Sequence, residues 1–342
     1  MAPADDPQTL HPRWRGWIAE NLAQGTDVDA IVSALVEEGV PESVARDFTA
    51  EIAASPAINV ARRLYNRVTA LETMVKLRRS HRDDHGPPIE RLPLPDAETL
   101  RRQYLASATP AIFTDLVPRW PALGKWSPQY LAERFGDVEV TACVGRNDIE
   151  HPDADWEGLS ETMSMRALVE RITDVATGND TYLIAKNTGL RLSGLAPLLD
   201  DLPLEPAIFG ETKTPERMGI WIGGKGTHTP LHHDGDNSFF CQIYGRKRVR
   251  LAPPESLPLL DRADGVYSRW DPTSATELAE GPETLVEVEV AAGEALLIPA
   301  GWWHQVDALD VSITVTILEL AWPNDYNWYR PGTLLRGRAV PQ

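Results

Sequence analysis

The chain has 342 residues, 42% hydrophobic and 24% charged, enough apolar side chain to bury a sizeable core in one or two domains. A formal net charge of −17 opposes a phosphate backbone and suits a basic protein or peptide partner better than nucleic acid. No apolar run approaches the roughly 20 residues that span a bilayer. The first residues lack the basic-then-apolar order of a secretory signal, and the two distant cysteines, Cys143 and Cys241, argue against a disulfide scaffold and for a reducing, cytoplasmic setting.

In chain order, the first 80 or so residues predict helices. Trp14–Ala23, Asp27–Glu38 and Glu42–Ala54 are short amphipathic stretches parted by Gly, Pro and Ser. From Asn59 to about Arg79 the apolar residues Val60, Leu64, Val68, Leu71 and Val75 recur every three or four positions, one continuous helical stripe. The plain expectation is a helical region, residues 1–85, that packs or docks. A homodimer through these helices is the alternative. Residues 82–96 (RDDHGPPIERLPLPD) read as a linker rich in charge, Pro and Gly. Beyond it, Ala97–Leu105, Ser127–Phe135 and Met165–Thr177 predict helices. Ala111–Leu116, Val138–Cys143 and Thr181–Ala185 predict strands.

From residue 217 the pattern turns to β. Met218–Ile222, Phe239–Tyr244, Lys247–Leu251, Leu285–Val290, Ala295–Ile298 and Ser312–Leu320 are short alternating runs punctuated by Gly and Pro. Such punctuation predicts a sandwich or small barrel, not parallel βαβ units. The chain is thus expected to be mainly β with α, its main domain at 86–330 and a short tail at 331–342.

Within Gly226–Leu251 (GTHTPLHHDGDNSFFCQIYGRKRVRL), His232 and Asp234 stand two apart. On a strand such residues share a face, so an imidazole and a carboxylate converge on one ion. His304, in Ile298-Pro-Ala-Gly-Trp-Trp-His304, is the candidate third ligand. Two histidines and one carboxylate leave three adjacent positions open, which suits iron(II) with a chelating cosubstrate and dioxygen, whereas zinc favours a closed set or three ligands plus water. His-x-Asp alone is common by chance. Of its neighbours, His233 must face the other way. His228 shares the parity of His232, but Gly226 and Pro230 suggest a loop there. Asp236 needs a bulge to reach the same ion. Lys247 shares an inward face with Val249, leaving Arg246, Arg248 and Arg250 outside. Trp302 and Trp303 fit either core or site.

The combined motifs resemble the JmjC-type, cupin-fold 2-oxoglutarate oxygenases, in particular the factor-inhibiting-HIF-like hydroxylases. The resemblance rests on Thr229-Pro-Leu-His232-x-Asp234 and Phe239-Phe240-x-Gln242-Ile243-x-Gly245-x-Lys247-Arg248. It continues through Pro253-Pro254, Gly293-Glu-Ala-Leu-Leu-Ile-Pro299, Trp302-Trp303-His304 and Ser312-Ile-Thr-Val-Thr316. Weaker similarity at Pro93–Asp96, Pro110–Asp115, Trp126–Leu131 and Tyr182-Leu183 extends it over roughly residues 88–325. It implies a double-stranded β-helix (jelly roll, cupin) core behind the helical region, Fe(II) held by His232, Asp234 and His304, and 2-oxoglutarate and O2 as cosubstrates. Lys247 matches the lysine that pairs with the distal carboxylate of 2-oxoglutarate. Thr229 and Tyr182 match hydroxyl donors to it, and Phe240 and Trp221 line the pocket. Ser238 and Thr316 stand where a family member has Asn, which puts the local cosubstrate geometry in doubt. The implied activity is C–H hydroxylation, on a protein or peptide side chain. Demethylation of a methyl-lysine, hydroxylation of a free amino acid or other metabolite, and a non-catalytic metal- or partner-binding cupin are the alternatives. The ending RPGTLLRGRAVPQ has no room for the paired terminal helices through which such a relative dimerises, so a homodimer, if this chain forms one, is expected through the N-terminal helices, especially Asn59–Arg79.

Overall fold

The computed structural model describes residues 12–79, 89–149, 152–153, 155–174, 178–187, 189–211, 214–256, 263–264, 266–268, 270 and 285–324. The expected tail at 331–342, residues 82–88 of the expected linker and the end of the Met165–Thr177 run lie outside them. Two compact units part between residues 83 and 84. No helix among the described residues is long and apolar enough to cross a membrane.

Among the described residues the first unit has four helices, α1 (Pro12–Gln24), α2 (Val28–Glu37), α3 (Glu42–Ala53) and α4 (Pro56–Arg79). Asp27 caps α2, its Oδ1 accepting from the Asp29 and Ala30 amides at 2.9 and 3.4 Å. Pro56, read from sequence as a break, instead starts α4. At the first helical position its missing N–H is one the helix leaves unpaired anyway. Ile18, Leu22, Ile31, Val32, Leu35, Ala45 and Ile58 bury one another in a small core.

The second unit is built on eight strands: β1 (Met218–Gly223), β2 (His228–His233), β3 (Ser238–Tyr244), β4 (Arg246–Ala252), β5 (Val286–Ala291), β6 (Ala295–Ile298), β7 (Trp303–Ala308) and β8 (Ser312–Ile317). They interleave into two antiparallel sheets, ordered 1-8-3-6 and 2-7-4-5, the double-stranded β-helix. Strands Ala111–Phe113 and Glu90–Leu92 extend the first sheet beyond β6. Tyr182–Leu183, Glu139–Cys143 and Ser160–Ser164 extend it beyond β1. Ile112, Phe240 and Leu296 from one sheet meet Val249, Leu251, Val290 and Val306 from the other in the core between them.

Alternation explains β4. Lys247, Val249 and Leu251 point inward and are buried. Arg246, Arg248 and Arg250 lie on the outer face, where Asp310 and Glu287 hold them at 2.8, 3.1 and 3.0 Å. The basic run is therefore neutralised by its own sheet and offers no free patch for phosphate. Gly245 makes the β3–β4 turn at φ +72°, where a Cβ would sit 2.2 Å from the Val311 carbonyl oxygen.

Several expected elements shift. Ala97–Leu105 is an α-turn, Ala97–Leu100, running into a π-turn, Arg101–Leu105. Ala111–Leu116 and Thr181–Ala185 shrink to Ala111–Phe113 and Tyr182–Leu183, because a strand lasts only as long as its neighbour pairs with it. Strands β7, Glu90–Leu92 and Ser160–Ser164 were not expected, and β2 begins earlier than expected, at His228.

Phe239 is fully buried, stacked on Phe113 at 5.9 Å between centroids and edge-on to Phe209 at 5.0 Å. Phe239→Ala is expected to cost about 3–5 kcal/mol of unfolding free energy. Urea unfolding followed by tryptophan fluorescence checks this; a loss below about 1 kcal/mol would remove this cluster from the centre of the core.

Candidate metal centre

His232, near the end of β2, and His304, at the second position of β7, are direct cross-strand partners. Their ring centroids lie 4.1 Å apart. Asp234 follows β2, and one atom from each of the three residues lies within 4.8 Å of the others. Nε2 of His232 is 3.9 Å from Asp234 Oδ1, and Nε2 of His304 is 3.7 Å from Oδ2. Each Nδ1 faces a backbone carbonyl, Pro230 at 2.8 Å and Trp302 at 2.9 Å. A carbonyl only accepts, so each Nδ1 carries the proton and each Nε2 offers its lone pair toward the carboxylate. Burial, reinforced by neighbouring His232, pushes His304 down to about 4, so it is neutral at physiological pH. Three convergent acceptors of this chemistry fit a divalent transition metal, with the backbone carbonyls fixing ring orientation.

The histidine pair depends on an irregularity. Pro230 has no amide hydrogen for the ladder, and the β2–β7 register slips between His304 and Val306. The slip lets a strand run through the stretch where Gly226 and Pro230 suggested a loop. His228 belongs to this strand but not to the centre; its Nδ1 lies 2.7 Å from Asp307. His233 points the opposite way, as expected, edge-on to Trp303 at 4.7 Å. Trp303 is wholly buried and Trp302 donates to the Ala108 carbonyl at 2.9 Å. Neither tryptophan lines the cleft at the centre.

Asp234 lies past the end of β2, so strand parity alone does not hold it. Its carbonyl accepts from the Gly301 amide at 2.8 Å. Asn324, after β8, accepts from the Asn237 amide and side chain, both at 2.9 Å. It also donates to the Asn237 and Leu318 carbonyls at 2.9 and 2.8 Å. Asn237 Oδ1 in turn accepts from the Ala300 amide at 3.1 Å. The loop carrying Asp234, the turn before His304 and the segment after β8 are thus laced together. Asp236, the alternative carboxylate, is held by Arg217 at 3.0 Å. Sequence reasoning missed Asn237 and Asn324, since two asparagines 87 positions apart carry no spacing signal.

A cleft opens on the centre, lined by Tyr182, Trp221, Thr229, Ser238, Phe240 and Thr316 besides the three candidate ligands. Ile298 and Val306 complete it and were not singled out from sequence. Trp221 donates to Thr316 Oγ1 at 3.2 Å, which fixes its ring beside Tyr182. Lys247 sits behind this wall, 1% exposed. Its Nζ donates to Tyr182 Oη at 2.9 Å and lies 5.3 and 5.5 Å from the ring centroids of Tyr182 and Phe240. Burial pushes its ammonium down to about 7, against the opposing pull of Asp153. Among the described residues no carboxylate stands within 4.0 Å of that nitrogen. Burial likewise pushes the Tyr182 phenol up, while a Thr229 side-chain hydrogen bond acts in the other sense. Gly223 leaves room for Tyr182, whose Cδ2 would lie 2.6 Å from an added Cβ.

A second missed pair stands behind Tyr182. Arg146 is wholly buried, bound to Asp153 at 2.6 Å and to the His228 carbonyl at 2.7 Å. Its guanidinium lies 5.2 Å from the Tyr182 ring centroid, tying the start of β2 to the cleft wall.

Asn324→Ala is expected to weaken binding of a single divalent ion about 10- to 100-fold by freeing the Asp234 loop. Calorimetric titration with cobalt(II) reads this directly, and unchanged affinity would mean that the asparagine lacing plays no part in placing Asp234.

Comparison with known proteins agrees with this geometry. Residues 97–318 match the family described as the Cupin-like domain. The chain is 27% identical over 251 residues to lysine-specific demethylase 8 of Xenopus tropicalis, covering 68% of this chain and 53% of that one. It is 28% identical over 239 residues to lysine-specific demethylase JMJ30 of Arabidopsis thaliana, covering 67% and 53%. To the human bifunctional peptidase and (3S)-lysyl hydroxylase JMJD7 it is 24% identical over 246 residues, covering 63% and 78%. It spans about half the length of the first two relatives. With a matching stretch that contains all eight strands of the double-stranded β-helix and all three converging side chains, the chain belongs to the Cupin-like domain family.

Proposed function

We propose that this chain is an Fe(II)- and 2-oxoglutarate-dependent oxygenase that hydroxylates a C–H bond on a protein or peptide side chain. The observation that carries this reading is Lys247. An ammonium buried among aromatic rings without a carboxylate partner costs several kcal/mol unless an anion joins it. The cleft beside it ends on a His-Asp-His cluster, so a small dicarboxylate bound there meets a cation at one end and a metal at the other. The Cupin-like domain family and the names of the relatives support the same reading.

His232, Asp234 and His304 would hold the iron. When bound, iron(II) with 2-oxoglutarate and dioxygen supplies oxidative decarboxylation to succinate and CO2 coupled to hydroxylation of a C–H bond. Lys247 binds the distal carboxylate by a charge-assisted hydrogen bond, with the Tyr182 and Thr229 hydroxyls beside it. Phe240, Ile298 and Val306 give the cleft apolar walls that keep water away. Trp221, held by Thr316, sets the width of the wall facing Tyr182. Ser238 offers a hydroxyl where the resemblance expects Asn. The relatives named as lysine demethylases and a lysyl hydroxylase, together with a net charge of −17, favour a lysine-bearing basic polypeptide as substrate. Demethylation and hydroxylation both begin with attack on a C–H bond, and the residues lining the cleft favour neither. Two buried free thiols, Cys143 and Cys241, accord with a cytoplasmic setting.

The direct test supplies iron(II), ascorbate and 2-oxoglutarate and measures succinate. Slow turnover alone and faster turnover with basic peptides are expected; no succinate under any condition would end the oxygenase reading. Lys247→Ala is expected to weaken 2-oxoglutarate binding at least about tenfold while leaving metal affinity nearly intact. Unchanged cosubstrate affinity would remove Lys247 from the site. The pH dependence follows from the same residue. The protonated amine is the binding form, present in the free protein below about pH 7. A bound carboxylate raises its pKa, so above pH 7 binding takes up a proton and affinity falls by up to about tenfold per pH unit. Calorimetry in buffers of different ionisation enthalpy reads both the affinity and the proton uptake; a flat affinity from about pH 7 to 9 contradicts the assignment.

A further inference from the structure

We infer that α4 pairs with α4 of a second copy of this chain as a short parallel two-stranded coiled coil. The last ties of α4 to its own helical core are Ile58, 6% exposed, and Arg62, which donates to the Leu22 carbonyl at 2.9 and 3.2 Å. From Arg63 to Thr73 no residue is buried. The helix nevertheless runs on to Arg79, a further 25 Å or so at about 1.5 Å per residue. A helix that buries none of its apolar residues is marginal in water. Its exposed residues are not those of a solvated helix: Leu64 is 58%, Val68 51% and Leu71 55% exposed.

Their order names the occupant. Leu64, Val68, Leu71 and Val75 are spaced four, three and four, the a/d seam of a heptad with Leu at d and Val at a. Valine at a with leucine at d favours two parallel strands. Ala57 and Ala61 fall on the same seam toward the N-terminus, and Arg78 at the next d position ends it. In this register Arg67 is a g residue and Glu72 is the e residue of the following heptad. Parallel pairing brings g of one helix against that e of its partner, so a two-fold dimer makes the Arg67–Glu72 match twice. Antiparallel pairing sets g against g and e against e and loses it. The seam is short, so the dimer is concentration-dependent.

Sedimentation velocity of the full chain over a concentration series tests this, with circular dichroism confirming that each variant is folded. The wild-type chain is expected to pass from monomer to dimer with rising concentration, and Leu64→Glu with Leu71→Glu to stay monomeric. Arg67→Glu alone and Glu72→Arg alone are each expected to weaken the dimer about tenfold by setting like charges together. The double swap Arg67→Glu/Glu72→Arg should restore it. A wild-type monomer throughout, because the stripe is covered by the chain's own second unit or by another protein, overturns the proposal. So does a dimer indifferent to the two leucine changes, or a double swap that fails to restore it. None of these outcomes depends on the oxygenase reading.

Discussion

The candidate metal centre, and the reading built on it, rest on the pairing of β2 with β7. That pairing sets His232 opposite His304 with their rings 4.1 Å apart, and the slip beside Pro230 leaves a carbonyl positioned to hold one ring by Nδ1. The Trp302 carbonyl does the same for the other ring. With both Nδ1 atoms committed to acceptors, both Nε2 lone pairs must face the carboxylate, whatever else the cleft contains. The pairing also constrains what lies outside it: the turn before β7 binds the Asp234 carbonyl, so the third candidate ligand is placed by the strand that carries the second.

Lys247 shows how the same sheet separates two uses of basic residues. Along Arg246–Arg250 the outer side chains are matched with glutamates and aspartates and contribute to an ordinary solvated face. The inner one is desolvated, its charge opposed by burial and, among the described residues, supported by a phenol, two aromatic rings and the distant Asp153. A fold keeps a cation in such a place at a cost to stability, and positions where local preference and burial conflict are where function is expected. The buried Arg146–Asp153 pair, Tyr182 and the room left by Gly223 belong to the same arrangement, since they hold the phenol that Lys247 needs.

The helical unit obeys a different constraint. Its core is complete by Ile58, yet α4 continues with leucine and valine on one seam. The second unit places chemistry within one chain, whereas this helix has the pattern of a surface that matters only when chains meet.

Much of this was legible in the sequence because it follows from short-range periodicity. Alternation placed six of the eight core strands and pointed Lys247 inward and its arginines outward. The three- and four-residue rhythm marked α2, α3 and the stripe on α4. The candidate ligands were visible as His-x-Asp plus a histidine after an apolar strand, and the Cupin-like domain match bears out the fold that the motifs implied. What tertiary structure alone decided is whatever depends on pairing between distant segments. The start of β2, from His228 to Pro230, looked like a loop because glycine and proline disfavour strands locally, and pairing with β7 across a register slip makes it strand. Asp234 looked strand-borne, but Asn237, Asn324 and Gly301 hold it, contacts that span up to 87 positions and leave no periodic trace. Arg146 and Asp153 were invisible for the same reason: a lone arginine in a loop acquires meaning only when folding buries it behind Tyr182.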